Sequence, residues 1–459
     1  MSKVPKPVSG FPEWLPEERR VELQWIDIMR STFESYGYAS IEPASVEEVS
    51  VIQAKGDDAD KEIYALRRLS SEQSADEPRL ALHFDLTVPM ARYVAQNFSR
   101  LQFPFKRFQL QKAWRGERPQ EGRYREFTQA DIDVIDQGSV SFHFDAEMPR
   151  IVHKILHAIG VDNVHTHVNN RKIIQGYYEG LGIANPMKAI QIIDKIDKIG
   201  PSGVKQMLIS EMEITEDVAQ KCLQLAQIRS EDTGFIDQIR ALGVSNDLLD
   251  QGIEELKYVM DRLSDLPKGS VIANMSIARG LNYYTGTVYE GKFGDYPDFP
   301  TIYAGGRYEN LVGTYLNRSL PGVGISIGLT RIFGKLLKEG RIDLSEKSPT
   351  HVVIINTPES DQSDLMRKAE LMRKNGVNVE VFHEPETKTS NQIRYATRKG
   401  IPYVMFASSS ADEIKNLATG EQTAVDVASW QPAKHNTYQS RIEPSTRCSV
   451  LPLAALGPK

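Results

Sequence analysis

Cysteine is almost absent: Cys222 and Cys448 are the only two in 459 residues, and no CxxC pair occurs. A zinc ribbon or a thioredoxin-like motif is thereby excluded, and the usage fits a reducing compartment. Long apolar runs are missing too. Nothing approaches the roughly 18 residues that a membrane-spanning helix needs. The opening MSKVPKPVSGFPEWLP has no apolar core of a secretory leader. A cytoplasmic protein without a membrane partner is the expectation. Several catalytic signatures are lacking: there is no GxxxxGK[ST] phosphate loop, no HExxH pair and no GxSxG elbow. No side chain therefore stands out as a nucleophile. Excess positive charge is absent as well. A net charge of −6 argues against a protein that coats DNA, although local contacts to nucleic acid remain open.

What is present reads as a multidomain globular chain. Apolar residues make up 40% and charged residues 25%, which is ordinary for such a protein. The length suggests several domains, at roughly 100–200 residues each. Residues 16–36 place Val21, Trp25, Ile28, Met29 and Phe33 at helical spacing. LALHFDLTVPMARYVAQ reads as a strand running into a helix, with Pro89 in the first helical turn. From Phe105 to Ile135, alternation on both sides of RGERPQEGR predicts two antiparallel strands and a long loop. From about Val168 to Leu266 the spacing is helical. Strand-like, glycine-rich segments return over 271–332. Past a polar linker, HVVIINT, DLMRKAELMRKNG, VNVEVFHE, TSNQIRYATRKG and IPYVMFA follow a β-α-β-α-β order, hence a small α/β domain.

The densest chemical signal is FKRFQLQKAWRGERPQEGRYR. Residues 106–125 carry seven basic side chains against Glu117 and Glu121. Alternate residues of paired strands share a face, so Arg115, Arg123 and Arg125 can aim at one concave surface. Arginine forks grip phosphate oxygens, and Phe127 can stack on a flat base. A solvated basic hairpin would read the same way. GVGISIG reads more readily as a close-packing strand than as a site, but Arg331 just beyond it can open a helix and face an anion there. ARGLNYYTGTVYE and AGGRYENL fit core and turn as well as a site. His165 and His167 in VHTHV are two residues, too few for a metal site.

Taken together, these segments resemble the histidyl-tRNA synthetase family of class II aminoacyl-tRNA synthetases, from about Gly10 to Val425. GFPEWLP and the helix after it resemble the class's first motif, a dimer-interface element. FQLQKAWRGERPQEGRYREFTQADID resembles the second motif, and PGVGISIGLTRIF the third. RGLNYYTGTVYE and AGGRYENL resemble the two histidine signatures, and NNRK at 169–172 and RKGIPYV are similar to family segments. The chain departs from the pattern at Asn282, where the family usually has aspartate, and at Thr330, where it often has glutamate.

The resemblance implies a fold: an α+β catalytic domain on a mainly antiparallel sheet, with a helical insertion, plus a C-terminal α/β anticodon-binding domain. The expected divisions are 1–165 and 269–338 for the catalytic domain, 166–268 for the insertion, 348–430 for the anticodon-binding domain and 431–459 for an irregular tail. It also implies roles. Arg115 would hold the α-phosphate of ATP, Glu117 the adenine amino group, Phe127 the ring, and Arg123 and Arg331 the outer phosphates. Arg279 would approach the α-phosphate from the histidine side. Asp85, Thr87 and Gln129 would bind the α-amino group. Tyr283 and Tyr284 would surround the imidazole, with Gly305, Gly306, Arg307 and Tyr308 as wall and floor. Lys388, Arg394, Arg398 and Lys399 would line an edge that meets tRNA. The implied substrates are histidine, ATP with Mg²⁺, and tRNA(His), and the implied assembly is a homodimer. Two other readings are a regulatory subunit of ATP phosphoribosyltransferase built on the same fold, and a metabolic ligase that adenylates without tRNA.

Overall fold

The hairpin expected around RGERPQEGR forms the second and third strands of a large sheet. In the computed structural model, which describes residues 4–53, 62–68, 78–278, 284–309, 315–316 and 318–432, nine strands pair in one sheet. They are β1 (Ala39–Ser40), β2 (Phe105–Trp114), β3 (Glu126–Ile135), β4 (Val164–Asn170), β5 (Arg229–Ser230), β6 (Val271–Asn274), β7 (Tyr284–Phe293), β8 (Tyr303–Tyr308) and β9 (Gly322–Gly328). The spatial order is β1-β2-β3-β9-β8-β7-β4-β6-β5. The central pairs from β2 to β4 are antiparallel, and only the β1–β2 and β4–β6 pairs are parallel.

The described residues fall into two units. One holds the chain up to Pro12 and Ile26–Glu339; the other holds Glu13–Trp25 and residues 340–432. The first helix, α1 (Pro16–Ser35), buries Val21, Trp25, Met29 and Phe33, while Ile28 is half-buried. Phe33 meets Phe108 of β2 with ring centroids 5.4 Å apart. Helix α2 (Thr87–Asn97) buries Val88, Met90 and Val94 and packs Met90 and Val94 with Phe105 of β2 and Ile135 of β3, and α3 (His143–Ala158) buries Ile151, Val152 and Ile155. Pro89 stands in the first turn of α2, where a missing N–H costs nothing.

Between β4 and β6 the chain is almost wholly helical. It starts with α4 (Arg171–Gly180), capped by the Asn170 side chain, and ends with α5 (Asp247–Arg262), capped by Asn246. Both caps satisfy first-turn amides that would otherwise lack a partner. Helices Pro186–Ile193, Ile196–Met212, Glu216–Gln227 and Phe235–Arg240 lie between them in sequence. The sheet unit closes with α6 (Leu329–Lys338) directly after β9.

The second unit carries the β-α-β-α-β order read from the sequence. Strands β10 (Val352–Ile354), β11 (Val379–Val381) and β12 (Tyr403–Phe406) are parallel, with α7 (Gln362–Lys374) and α8 (Thr389–Lys399) as crossovers. Alternation on β10 splits the core. Val352 and Ile354 pack with Leu365 and Met372 of α7, and Val353 and Ile355 pack with Ala396 of α8. An antiparallel hairpin, β13 (Asp412–Asn416) and β14 (Gln422–Val425), extends the sheet beyond the expected order.

Candidate active site

Four residues of β3, Phe127, Gln129, Asp131 and Asp133, share one face by strand alternation and line a single cavity of about 270 Å³. Their cross-strand partners explain why the cavity exists. On β9 the opposing residues are small: Gly324 faces Asp133, Ser326 faces Asp131 and Gly328 faces Gln129. A Cβ at Gly324 would lie 2.1 Å from the Asp133 carboxylate and 2.7 Å from the Ile132 carbonyl. A Cβ at Gly322 would lie 2.5 Å from the Tyr308 ring, and one at Gly306 would lie 2.9 Å from the Tyr284 ring. The glycines of GVGISIG and AGGRY are therefore the clearance for the acids and tyrosines of the cavity. A Gly324→Ala variant is expected to displace Asp133 and abolish whatever turnover the cavity supports, with thermal unfolding and activity as the paired checks.

At one end of the row the arginines gather. Arg115, at the tip of β2, donates from Nε to the Phe84 carbonyl at 3.0 Å. Its guanidinium lies 5.1 Å from the centroid of the Phe127 ring. Glu117 sits between two cations: Arg123 Nη1 donates to it at 3.1 Å, and Arg115 Nη1 is 3.8 Å away. The loop turns at Gln120–Arg123, where the two backbones exchange hydrogen bonds and Gly122 adopts φ +73°. Arg331, in the first turn of α6, donates from Nε to the Gly122 carbonyl at 2.6 Å and from Nη1 to the Thr301 carbonyl. Thr330 does not hold Arg331; its hydroxyl accepts the Thr128 amide at 2.8 Å, tying α6 to β3.

At the other end the groups are acidic and polar. Asp85 Oδ1 accepts the amides of Thr87 and Val88, each at 3.1 Å, which fixes the carboxylate at the start of α2. Gln129 Nε2 donates to Ser326 Oγ at 2.5 Å. Tyr308 donates its hydroxyl to Asp133 Oδ1 at 2.9 Å, and Arg107 Nη2 is 2.5 Å from Oδ2. Behind this row Arg107, Gln109 and Gln111 of β2 form a buried chain of hydrogen bonds that ends on the Pro43 carbonyl and the Ser45 hydroxyl. Burial pushes the Asp131 carboxyl up to about 7, against the pull of the Arg107 charge.

The cavity thus brings together Asp85, Thr87, Arg115, Glu117 and Arg123, and with them Phe127, Gln129, Tyr284, Tyr308 and Arg331. Three expected wall residues stand elsewhere. Gly305 and Gly306 back the wall without lining it. Arg307 turns to the opposite face, as its register between Gly306 and Tyr308 requires, and its guanidinium clasps Asp145 and the carbonyls of Val140 and Ser141. Arg125 is also outside the lining and donates to the Glu117 carbonyl at 3.1 Å. Arg279, Asn282 and Tyr283 lie outside the described residues, as does the tail over 433–459. The segment leading to Arg279 is nonetheless anchored. Asn169 Nδ2 donates to the Ile277 carbonyl and Arg171 Nη1 to the Ala278 carbonyl, each at 2.9 Å. Asn170 and Lys172 both bond Glu255 of α5. This is the structural use of NNRK.

Asp131, Asp133 and Arg107 were not singled out in the sequence. The signal was there: polar residues at alternate positions of FKRFQLQ and ADID, inside strands that the topology makes central. In the second unit, Arg394, Arg398 and Lys399 of α8 line a shallow depression with Asn391 and Tyr395. Lys399 is held by Glu380 at 2.9 Å and by the Tyr395 hydroxyl at 2.7 Å. Lys388 precedes the helix and is not part of that lining.

A mainly antiparallel sheet that carries an arginine-rich cavity, joined in one chain to a small α/β unit, has the class II aminoacyl-tRNA synthetase fold. Comparison with known proteins narrows the class. A model of the histidyl-tRNA synthetase family matches residues 10–332. The histidine–tRNA ligase of Thermobifida fusca (strain YX) is 52% identical over 430 residues, covering 93% of this chain and 98% of that one. The crystal structure of histidyl-tRNA synthetase from Nostoc sp. PCC 7120 superposes with a TM-score of 0.81 at 34% identity, covering 92% and 96% of the two chains. An ATP phosphoribosyltransferase regulatory subunit/histidyl-tRNA synthetase from Bacillus halodurans shares the fold, with a TM-score of 0.72 at 17% identity. The chain belongs to the histidyl-tRNA synthetase family.

Proposed function

We propose that the cavity along β3 joins histidine to ATP and then passes the histidyl group to tRNA(His). The observation that carries this reading is the polarity of one cavity, with arginines at the Phe127 end and fixed carboxylates at the Asp133 end. In the first step a carboxylate oxygen of histidine attacks the α-phosphorus of ATP, and pyrophosphate leaves. The substrate supplies the nucleophile, so the protein needs none. Its task is to position two anions and to stabilise charge that spreads in the transition state. In the second step a hydroxyl of the terminal ribose attacks the activated carbonyl, and AMP leaves.

Arg115, braced by the Phe84 carbonyl and beside the Phe127 ring, would hold the α-phosphate, and Phe127 would offer its ring to adenine. Glu117 takes the adenine amino group, and Arg123 and Arg331 take the outer phosphates. Asp85, Thr87 and Gln129 receive the α-amino group. Asp133, pinned by Tyr308 and Arg107, is a fixed acceptor for a ring N–H of the imidazole beside Tyr284. Arg279 and Tyr283 keep the roles that the family resemblance implies for them. Mg²⁺ fits this wall as a companion of the nucleotide. The described residues hold no cluster of three metal-ligating side chains, and Mg²⁺ characteristically takes phosphate oxygens and water with few protein ligands. When bound, it would neutralise phosphate charge.

The depression on α8, with Lys388 nearby in sequence, is the proposed edge for the tRNA anticodon. The element beginning at GFPEWLP is the proposed interface of a homodimer, and the cytoplasm is the proposed location. No described helix is long and apolar enough to cross a membrane. ATP–pyrophosphate exchange tests the reading directly. Histidine alone among the amino acids should support exchange, since a polar pocket left unpaired rejects other side chains by roughly 10⁴-fold. Absence of exchange with histidine would contradict it.

A further inference from the structure

Asp131 is the one acid of the cavity row that the reading above leaves without a task. It is 3% exposed and lines the cavity. Its Oδ1 is buried and has no hydrogen-bond partner. An orphaned buried carboxyl oxygen is a cost that native proteins rarely carry without a reason. Its neighbours do not remove that cost. Ser326, opposite it on β9, hydrogen-bonds the carboxyl and favours the anion, and Gln109 faces it from β2, yet Oδ1 itself stays without a partner. The charged groups that act on it are Arg107 of β2, Asp133 on its own strand and Asp85 before α2, and of these only Arg107 favours the anion. Arg107 is already paired with Asp133.

We propose that Asp131 is a second binding group for the α-ammonium of the amino-acid substrate, sharing that cation with Asp85. The inference rests on the reading of the cavity as the histidine-activation site. Position along β3 selects the ammonium over the ring. Asp133, two residues further on, is already fixed as the far acceptor by Tyr308 and Arg107. Asp131 lies between it and Gln129, within electrostatic reach of Asp85. A cation between Asp85 and Asp131 relieves their mutual repulsion and gives Oδ1 its missing partner. In the free protein the carboxyl, raised to about 7 by burial, is partly protonated near neutral pH. Where the carboxyl is protonated, that proton leaves to solvent as the ammonium arrives, and the substrate nitrogen keeps its own.

The full chain and its Asp131→Asn variant are compared for binding of histidine and of 3-(imidazol-4-yl)propionate, which lacks the amino group. The variant should bind histidine roughly tenfold or more weakly, the value of one hydrogen bond to a charged group. It should bind the des-amino ligand as the wild type does, with KM for ATP unchanged. Equal weakening of both ligands, or unchanged histidine affinity, would overturn the inference. Stability supplies a second readout. A carboxyl whose folded pKa lies above its unfolded value loses stabilisation as pH rises through the folded pKa. The wild type should therefore lose more thermal stability between about pH 6 and pH 8 than the variant does. A variant less stable than the wild type at the upper pH would assign Asp131 a structural role instead. Wild-type protein inactive in histidine-dependent exchange would defeat the parent reading, which is a separate outcome.

Discussion

The Arg115→Ala variant is expected to lose roughly 10²–10³-fold in histidine-dependent ATP–pyrophosphate exchange, almost all of it in kcat. The reason is preorganisation. The guanidinium is already oriented by the Phe84 carbonyl and the Phe127 ring, so under the proposed assignment it would meet the reacting phosphate without rearrangement. A fixed donor aimed at developing charge, in a partly dry cavity, acts more strongly on the transition state than on bound substrate. Its removal should change KM for histidine little. Folding should survive, because the side chain is 28% exposed and gives up one hydrogen bond and a weak ion pair; such losses are about 1 kcal/mol. Pre-steady-state adenylation and a melting curve on the same preparation separate the two effects. Adenylation within about threefold of wild type would remove Arg115 from the mechanism, set against the loss expected of such a donor.

Asp133→Asn should produce the second large effect, on recognition and on stability together. The amide can still accept the Tyr308 hydroxyl, but the negative charge is gone. Histidine should then bind on the order of 100-fold more weakly, the scale at which a polar pocket loses its ligand. Arg107, fully buried, loses its counter-ion. Breaking one side of such a pair destabilises by roughly 3–5 kcal/mol. Adding Arg107→Met removes the stranded charge, and a well-packed apolar replacement restores much of that stability. The double variant should melt near the wild type and still bind histidine poorly. Recovery of histidine affinity together with stability would show that Asp133 supports the fold alone.

Much of the architecture was legible because periodicity is a local property. The alternation of FQLQKAW and REFTQADIDVI produced β2 and β3, and the three-to-four spacing of Val21, Trp25, Met29 and Phe33 produced α1. The arginines and Phe127 were legible because charge clusters stand out in a strand. Asp131, Asp133, Arg107, Gln109 and Gln111 were not. A polar residue at every second strand position ordinarily means a solvated face, and only the sheet order makes those strands central. Arg307 failed in the opposite direction. Its motif points to the wall as a unit, but neighbouring strand residues point to opposite faces, and only Tyr308 of the pair reaches the cavity. The glycines of GVGISIG could be read as close packing, but what they pack against, a carboxylate and two tyrosines with their neighbours in AGGRY, depends on cross-strand register. The hairpin Asp412–Val425 escaped notice because DEIKN and QTAV are short and largely polar.

A crystal structure with a non-hydrolysable histidyl-adenylate analogue bound tests the two-ended cavity most directly. The account predicts the phosphate at Arg115, the adenine against Phe127 and the imidazole at Asp133. An analogue bound in the reverse sense, or outside the row from Phe127 to Asp133, would contradict it.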